Sequence, residues 1–201
     1  MKFSMSLKDK KINATDILDL AEYTKNRKSI RKNVVEMKKN RRVSLGPHAI
    51  FYFENFFTMK SQIEEMLYIE KGGEGQLKDE LEAYNPMIPQ GKELIATFMF
   101  EIDNPITRKN ILSQLGRVEM EIFISLNGEK IYATPEADTE RTDKHGKTSS
   151  VHFLHFYMND NQISLFKDLK TEIILGTDHQ NYLYGTTMSS EVQSALIEDL
   201  D

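Results

Sequence analysis

The chain has no cysteine and no tryptophan among its 201 residues, and only five prolines. Without cysteine there is no disulfide, no thiolate nucleophile, no cysteine-held zinc, and no iron–sulfur cluster carried by the chain itself. Long apolar runs are missing as well. The densest, 49–53 and 94–100, fall far short of the ~20 residues that cross a bilayer. The lysine-bearing start, Met1 to Ile12, has no apolar stretch behind it that would make a secretory signal. The expectation is a soluble, cytoplasmic protein with no membrane partner. No Walker loop, Gly-x-Gly-x-x-Gly fingerprint or Gly-x-Ser-x-Gly elbow occurs. Gly72-Gly73-Glu74-Gly75 follows a helical pattern rather than a strand, so it reads as a helix stop and loop. His152 and His155, three apart on an expected strand, face opposite sides and do not chelate one ion. One histidine joined to Glu101, Glu119 or Glu121 is the loosest metal reading. No catalytic residue, metal or cofactor is assigned.

A hydrophobic fraction of 39% against 28% charged residues is enough to bury a core and argues against wholesale disorder. Ten methionines and eleven phenylalanines suit adaptable packing. The charge is uneven. Residues 25–42 hold nine bases and one acid, a net +8, which leaves −13 on the rest of a chain that totals −5. A basic segment on an acidic body binds phosphate, the body itself, or a second copy. Nucleic acid is disfavoured, because the bases lack interleaved aromatics and the remainder repels phosphate.

Periodicity and turn residues divide the chain as follows. A long helix is expected over 16–39, with Thr15 as its N-cap, then extended segments at 43–45 and 49–55 around Gly46-Pro47. Helices are expected over 56–71 and 77–84, the second stopped by Asn85-Pro86. A strand over 93–102 and a helix from Asn104-Pro105 to Leu115-Gly116 come next. Segments 118–126 and 129–134 flank Asn127-Gly128, a hairpin signal. In the first, Val118, Met120, Ile122, Ile124 and Leu126 share one face and Glu119, Glu121 and Ser125 lie on the other, which predicts a half-buried strand. Strands at 150–158, 172–176 and 182–186, a helix near 161–169 and a helix capped by Ser189 complete the pattern. Residues 1–14 and 135–147 are expected to be mobile. With no repeat or linker, residues 1–201 read as a single α+β domain. Its N-terminal helices pack on one face of a mainly antiparallel sheet.

Two helical wheels place charge where it is expensive. On the first helix Ile17, Leu20, Thr24, Val34 and Val35 share a side with Arg27 and Arg31, while Lys28, Lys32 and Lys39 lie toward the other edge. On the second, Phe56, Met59, Ile63, Met66 and Leu67 form a stripe that includes Glu70 and leaves Glu64 and Glu65 outside. An arginine on an apolar face needs an anionic partner. Glu70 is therefore expected to pair with Arg27 or Arg31, either as a packing device or as part of an anion site with Glu65 and Asn85 at its rim.

Several short motifs lie along the same stretch. They are Arg41-Arg42-Val43, Leu45-Gly46-Pro47, Phe53-Glu54-Asn55, Gln62-Ile63-Glu64-Glu65-Met66, Glu80-Leu81, Tyr84-Asn85, Ile88-Pro89, Glu93-Leu94, Ala96-Thr97 and Val151-His152-Phe153 with Phe156. In these the chain resembles the bacterial family called domain of unknown function 3501, from about Tyr23 to Tyr157. The resemblance supplies no activity. It implies gene neighbours of rubrerythrin-like and iron–sulfur type, hence an accessory role beside a redox protein partner that would carry any cluster. The reading that results is a non-enzymatic accessory or binding protein, working as a homodimer. The alternative is an enzyme or sensor with an anion pocket at Arg27, Arg31 and Glu70.

Overall fold

The computed structural model describes residues 10–136 and 141–201. A 3-10 turn (Ala14–Asp16) precedes helix α1 (Leu20–Lys39), which runs into the hairpin of β1 (Arg42–Leu45) and β2 (Ala49–Phe53). Helices α2 (Phe56–Glu70) and α3 (Glu74–Tyr84) follow, then β3 (Glu93–Phe100) and α4 (Pro105–Leu112). The second half holds β4 (Ile122–Leu126), β5 (Glu129–Tyr132), β6 (Thr134–Pro135), β7 (Val151–Tyr157), α5 (Asp160–Lys167), β8 (Ile173–Thr177), β9 (Tyr184–Thr187) and α6 (Ser190–Ile197). The class is α+β, with α2 packed on one face of an antiparallel sheet. That sheet has the order β1-β2-β3-β7-β6, and a second antiparallel sheet, β5-β4-β8-β9, lies against its other face.

Alternation along the strands sorts the side chains into two sets. Phe51, Phe98 and Phe156 of the first sheet meet Ile124, Ile131 and Leu175 of the second in one shared core. The intervening residues of β2, β3 and β7 point the other way, toward a smaller cluster built on Phe56, Met59, Ile63, Met87, Ile88 and Ile95. Local chemistry sets the element ends. Asn55 accepts from the Thr58 N–H at 3.0 Å and its own N–H donates to the Thr58 hydroxyl at 2.9 Å, a reciprocal cap that starts α2 directly after β2. Asn127 and Gly128, at φ 48° and 92°, make the tight turn between β4 and β5. Ser189 caps α6 as its position predicts.

Two expectations need correction. Helix α1 starts at Leu20 and its cap is Asp19, which accepts from the Glu22 N–H at 2.8 Å. Thr15 lies instead within the separate 3-10 turn, where Asp16 accepts from the Asn13 N–H at 2.7 Å. Residues 118–120 form a 3-10 turn rather than strand, with Glu119 buried and Met120 49% exposed. Strand β4 itself is buried on both faces. Ile122, Ile124 and Leu126 enter the shared core, while the Lys130 ammonium lies 4.2 Å over the Phe123 ring on the other side. Of the stretches expected to be mobile, 1–9 and 137–140 lie outside the described residues. Residues 10–12 are tied down by Lys10 on Asp201 at 2.7 Å, the burial of Ile12, and Asn85 bonded to both the N–H and the C=O of Ile12. Asp143 takes the N–H groups of His145 and Lys147 at 2.8 and 3.0 Å, closing the turn at 143–147.

One buried cation joins the two ends of the chain. Arg41 donates through Nε to the Phe53 carbonyl at 3.1 Å, through Nη2 to the Glu54 carbonyl at 3.2 Å and through Nη1 to the Ala195 carbonyl at 3.1 Å. Nη2 also pairs with the buried Asp199 carboxylate. Burial pushes that carboxyl up to about 6, with Arg41 pulling the other way. Replacing one partner of such a pair strands the other in low dielectric. Arg41→Met is therefore expected to lower the unfolding free energy in urea by about 3–5 kcal/mol. Adding Asp199→Leu should return at least ~1 kcal/mol, because the stranded carboxylate is gone. If nothing returns, the carbonyl contacts carry the effect and the ion pair does not.

Candidate ligand cavity

The outward-facing positions of three strands fall into register. Tyr52 of β2 lies opposite Thr97 of β3, and Thr97 opposite Phe153 of β7; one row along, Met99 lies opposite Val151. Glu54 follows β2 with the same parity as Tyr52, so its side chain rises from the same face. Helix α2 crosses above this surface. Its Met59 and Gln62, with Tyr84 and Met87 from the end of α3 and the turn after it, close a cavity of about 380 Å³ over the sheet. Glu101 and, from the C-terminal end of α1, Lys38 complete its walls.

The polar groups of this cavity are unequally satisfied. Glu54 is 4% exposed. Its Oε1 accepts from the Thr97 hydroxyl at 2.8 Å, while Oε2 is buried with no hydrogen-bond partner among the described residues. The Tyr52 hydroxyl donates to Glu101 at 2.6 Å; burial, reinforced by that carboxylate, pushes its pKa up to about 12. Gln62 reaches the Tyr84 hydroxyl at 3.5 Å. A buried carboxyl oxygen without a donor costs on the order of 1–3 kcal/mol, and it is tolerated where another contact makes up the loss.

The residues singled out from the sequence gather elsewhere, and only some of them meet. Arg27 donates to both oxygens of Glu65, at 2.9 and 2.8 Å, and its guanidinium lies 4.4 Å over the Tyr68 ring. Tyr23, fully buried, donates to the same Glu65 at 2.5 Å. The Arg27 hydrogen bonds, helped by Tyr23, hold the Glu65 carboxyl below its usual range; burial first and then Glu65 raise Tyr23. Glu65, not Glu70, is thus the partner of Arg27. Glu70 is exposed and accepts from Gln76 at 2.9 Å, and Arg31 is exposed. Asn85 pins the backbone of Ile12. The apolar stripe of α2 faces the sheet, and α1 lies over its other side. A contact between the two helices therefore uses α2 residues outside that stripe.

The loosest metal reading does find two of its residues together. His152 points into the core between the sheets with Nδ1 3.7 Å from Glu119 Oε2, and both atoms lack hydrogen-bond partners. Burial lowers the His152 imidazole to about 4, so it is neutral at neutral pH. His155, on the opposite face as expected, bonds Glu136 at 2.7 Å. Among the described residues no cluster of three or more His, Cys, Asp or Glu could hold a metal ion. Nor is any of their helices long and apolar enough to cross a membrane.

Sequence reasoning had every cavity residue in view and did not assemble them. The usable signal was parity. Glu54 continues the 50–52–54 face of an alternating strand and stands just before a helix cap.

Two antiparallel sheets on one core, with a helix lid over the first, define an α+β protein with a cavity between sheet and lid. Within that class the chain belongs to the family of proteins of unknown function DUF3501, whose model matches residues 11–200. The match extends beyond both ends of the stretch over which the motifs were read. The chain is also similar to a protein of unknown function from Burkholderia pseudomallei K96243 known from a crystal structure. The two share 35% identity at a TM-score of 0.87, over 94% of this chain and 99% of the other. No curated protein matches.

If Glu54 is placed for a ligand rather than for stability, removing it costs the unliganded fold nothing. The pair Glu54→Met with Thr97→Val is expected to leave urea stability unchanged or to raise it by up to ~2 kcal/mol. A loss of more than ~2 kcal/mol would mark Glu54 as part of the scaffold.

Proposed function

We propose that the protein is a non-catalytic binding protein that holds a small organic ligand in the cavity between the first sheet and α2. One observation carries this reading: Glu54, almost fully buried on the cavity floor, keeps one carboxyl oxygen without a donor among the described residues. The volume of about 380 Å³ lies in the range of small-molecule sites, ~300–1,000 Å³. Among the described residues that line it there is no histidine. Its two hydroxyls on carboxylates, Thr97 on Glu54 and Tyr52 on Glu101, are weak nucleophiles, with Tyr52 pushed further from ionisation, which favours binding over chemistry. An anion pocket at Arg27 is less favoured, since an anion there competes with Glu65 for the guanidinium. The redox-partner idea rests on the family resemblance alone and is not carried forward.

Three methionines, Met59, Met87 and Met99, line the cavity and report on it directly. With ¹³C-labelled methionine methyls, the small-molecule fraction of a cell extract is expected to shift these three signals. Met120, which is exposed, and Met188, which packs in the shared core, should stay unmoved. Shifts elsewhere, or none, would remove the reading.

The binding protein acts in the cytoplasm as a homodimer on this proposal. Lys25, Lys28 and Lys32 lie together on the exposed side of α1, turned away from α2, and the acidic remainder of a second copy is their natural complement. Sedimentation at low salt is expected to show a dimer that weakens at high salt, and Lys28→Glu with Lys32→Glu should yield a monomer. A monomer at low salt in the unmodified protein would end the dimer.

A further inference from the structure

Donors and acceptors in the cavity do not balance. The Thr97 hydroxyl proton is given to Glu54 Oε1, and the Tyr52 hydroxyl proton to Glu101. The Gln62 amide N–H is directed at Tyr84. What remains on the floor is acceptor capacity, foremost Glu54 Oε2. A ligand that settles against the floor has to bring a hydrogen-bond donor to Glu54, while the Tyr84 hydroxyl and the Lys38 ammonium keep donors on the lid and rim.

The surroundings specify the donor further. Tyr52 and Phe153 sit on either side of Thr97 in the strand register, so the carboxyl that Thr97 supports has an aromatic ring toward each flank. Tyr84 stands across from them. Ring faces and thioethers attract cations and apolar groups and give little to anions. A cation already uses this wall, since the Arg141 guanidinium lies 5.1 Å over the Phe153 ring. Three positive groups stand around the cavity, Arg141 over Phe153, Lys38 from α1, and Arg42 opposite Tyr52 at the β1 edge of the sheet; none of them is bonded to Glu54 among the described contacts.

From this geometry we infer that the ligand is a protonated organic amine. Its ammonium donates to Glu54 Oε2 between the Tyr52 and Phe153 rings, and its small apolar body lies against Met59, Met87 and Met99. The inference rests on the cavity reading above and adds the chemical class of the occupant.

Three probes of one shape separate the two ideas: benzylamine, benzyl alcohol and benzoate. Binding is read by titration calorimetry on the unmodified protein and by the three methionine methyl signals. Benzylamine is expected to bind at least about tenfold more tightly than either of the others, the increment of a charge-assisted hydrogen bond over a neutral one. Glu54→Gln should cut that preference to about threefold or less. If benzyl alcohol or benzoate shifts the methyls and binds as tightly as benzylamine, the amine is wrong and the cavity stands. If none of the three binds at millimolar concentration, the cavity reading and the amine fall together. The comparison on the unmodified protein decides the matter even where Glu54→Gln does not fold.

Discussion

A single guanidinium determines where the cavity floor lies. Arg41 follows α1 directly, and its donors reach the carbonyls at the end of β2, the carbonyl of Ala195 in α6, and the Asp199 carboxylate. These contacts bind together the exit of α1, the β2–α2 junction and the C-terminal helix. The Glu54 carbonyl is one of the acceptors, so the backbone beneath the candidate ligand carboxyl is held by a contact more than a hundred residues distant at its other end. The contact fixes the backbone from which the Glu54 side chain rises.

The helical layer divides its work between its two sides. Helix α2 gives the sheet an apolar stripe, with Phe56, Met59 and Ile63 buried. To α1 it gives Glu65, which gathers Arg27 and Tyr23. Apolar contact fixes how far α2 stands off the sheet, and polar contact fixes where α1 lies across it. Helix α1 has only Tyr23 buried along its length, and Val35 is 62% exposed. It is held by a few specific bonds rather than by a broad interface, which leaves its outer face open for association.

Much of this was legible in the sequence, and the failures have physical causes. Strand parity, the Asn127-Gly128 turn, the Ser189 cap and the opposed faces of His152 and His155 follow from local rules and hold. The wheel of α2 was read as if a helix has one buried side. With a sheet below and a helix above it has two, and Glu65 belongs to the second, where no apolar stripe marks the contact. Strand β4 failed for a related reason. Its Phe123 face is covered by the aliphatic and charged side chain of Lys130, a residue that reads as solvent-facing in any hydropathy pattern. For the cavity, parity marks the face of Glu54 but not its neighbours, because the rows come from strands paired over long separations, Tyr52 with Thr97 and Thr97 with Phe153.

Among buried polar groups left without a partner, Glu54 differs from the Glu119–His152 pair in what faces it. Glu119 and His152 turn toward each other inside the two-sheet core, a neutral imidazole 3.7 Å from a carboxyl, so each faces the other. Glu54 borders a cavity lined by rings and thioethers, and no donor among the described residues completes its Oε2. The cost of an orphan oxygen is of the same order at both places. In the core it is the residue of packing two sheets at a fixed distance. Over the outer face of the first sheet it borders a preformed space, where a molecule entering from solvent with a donor of its own can meet it.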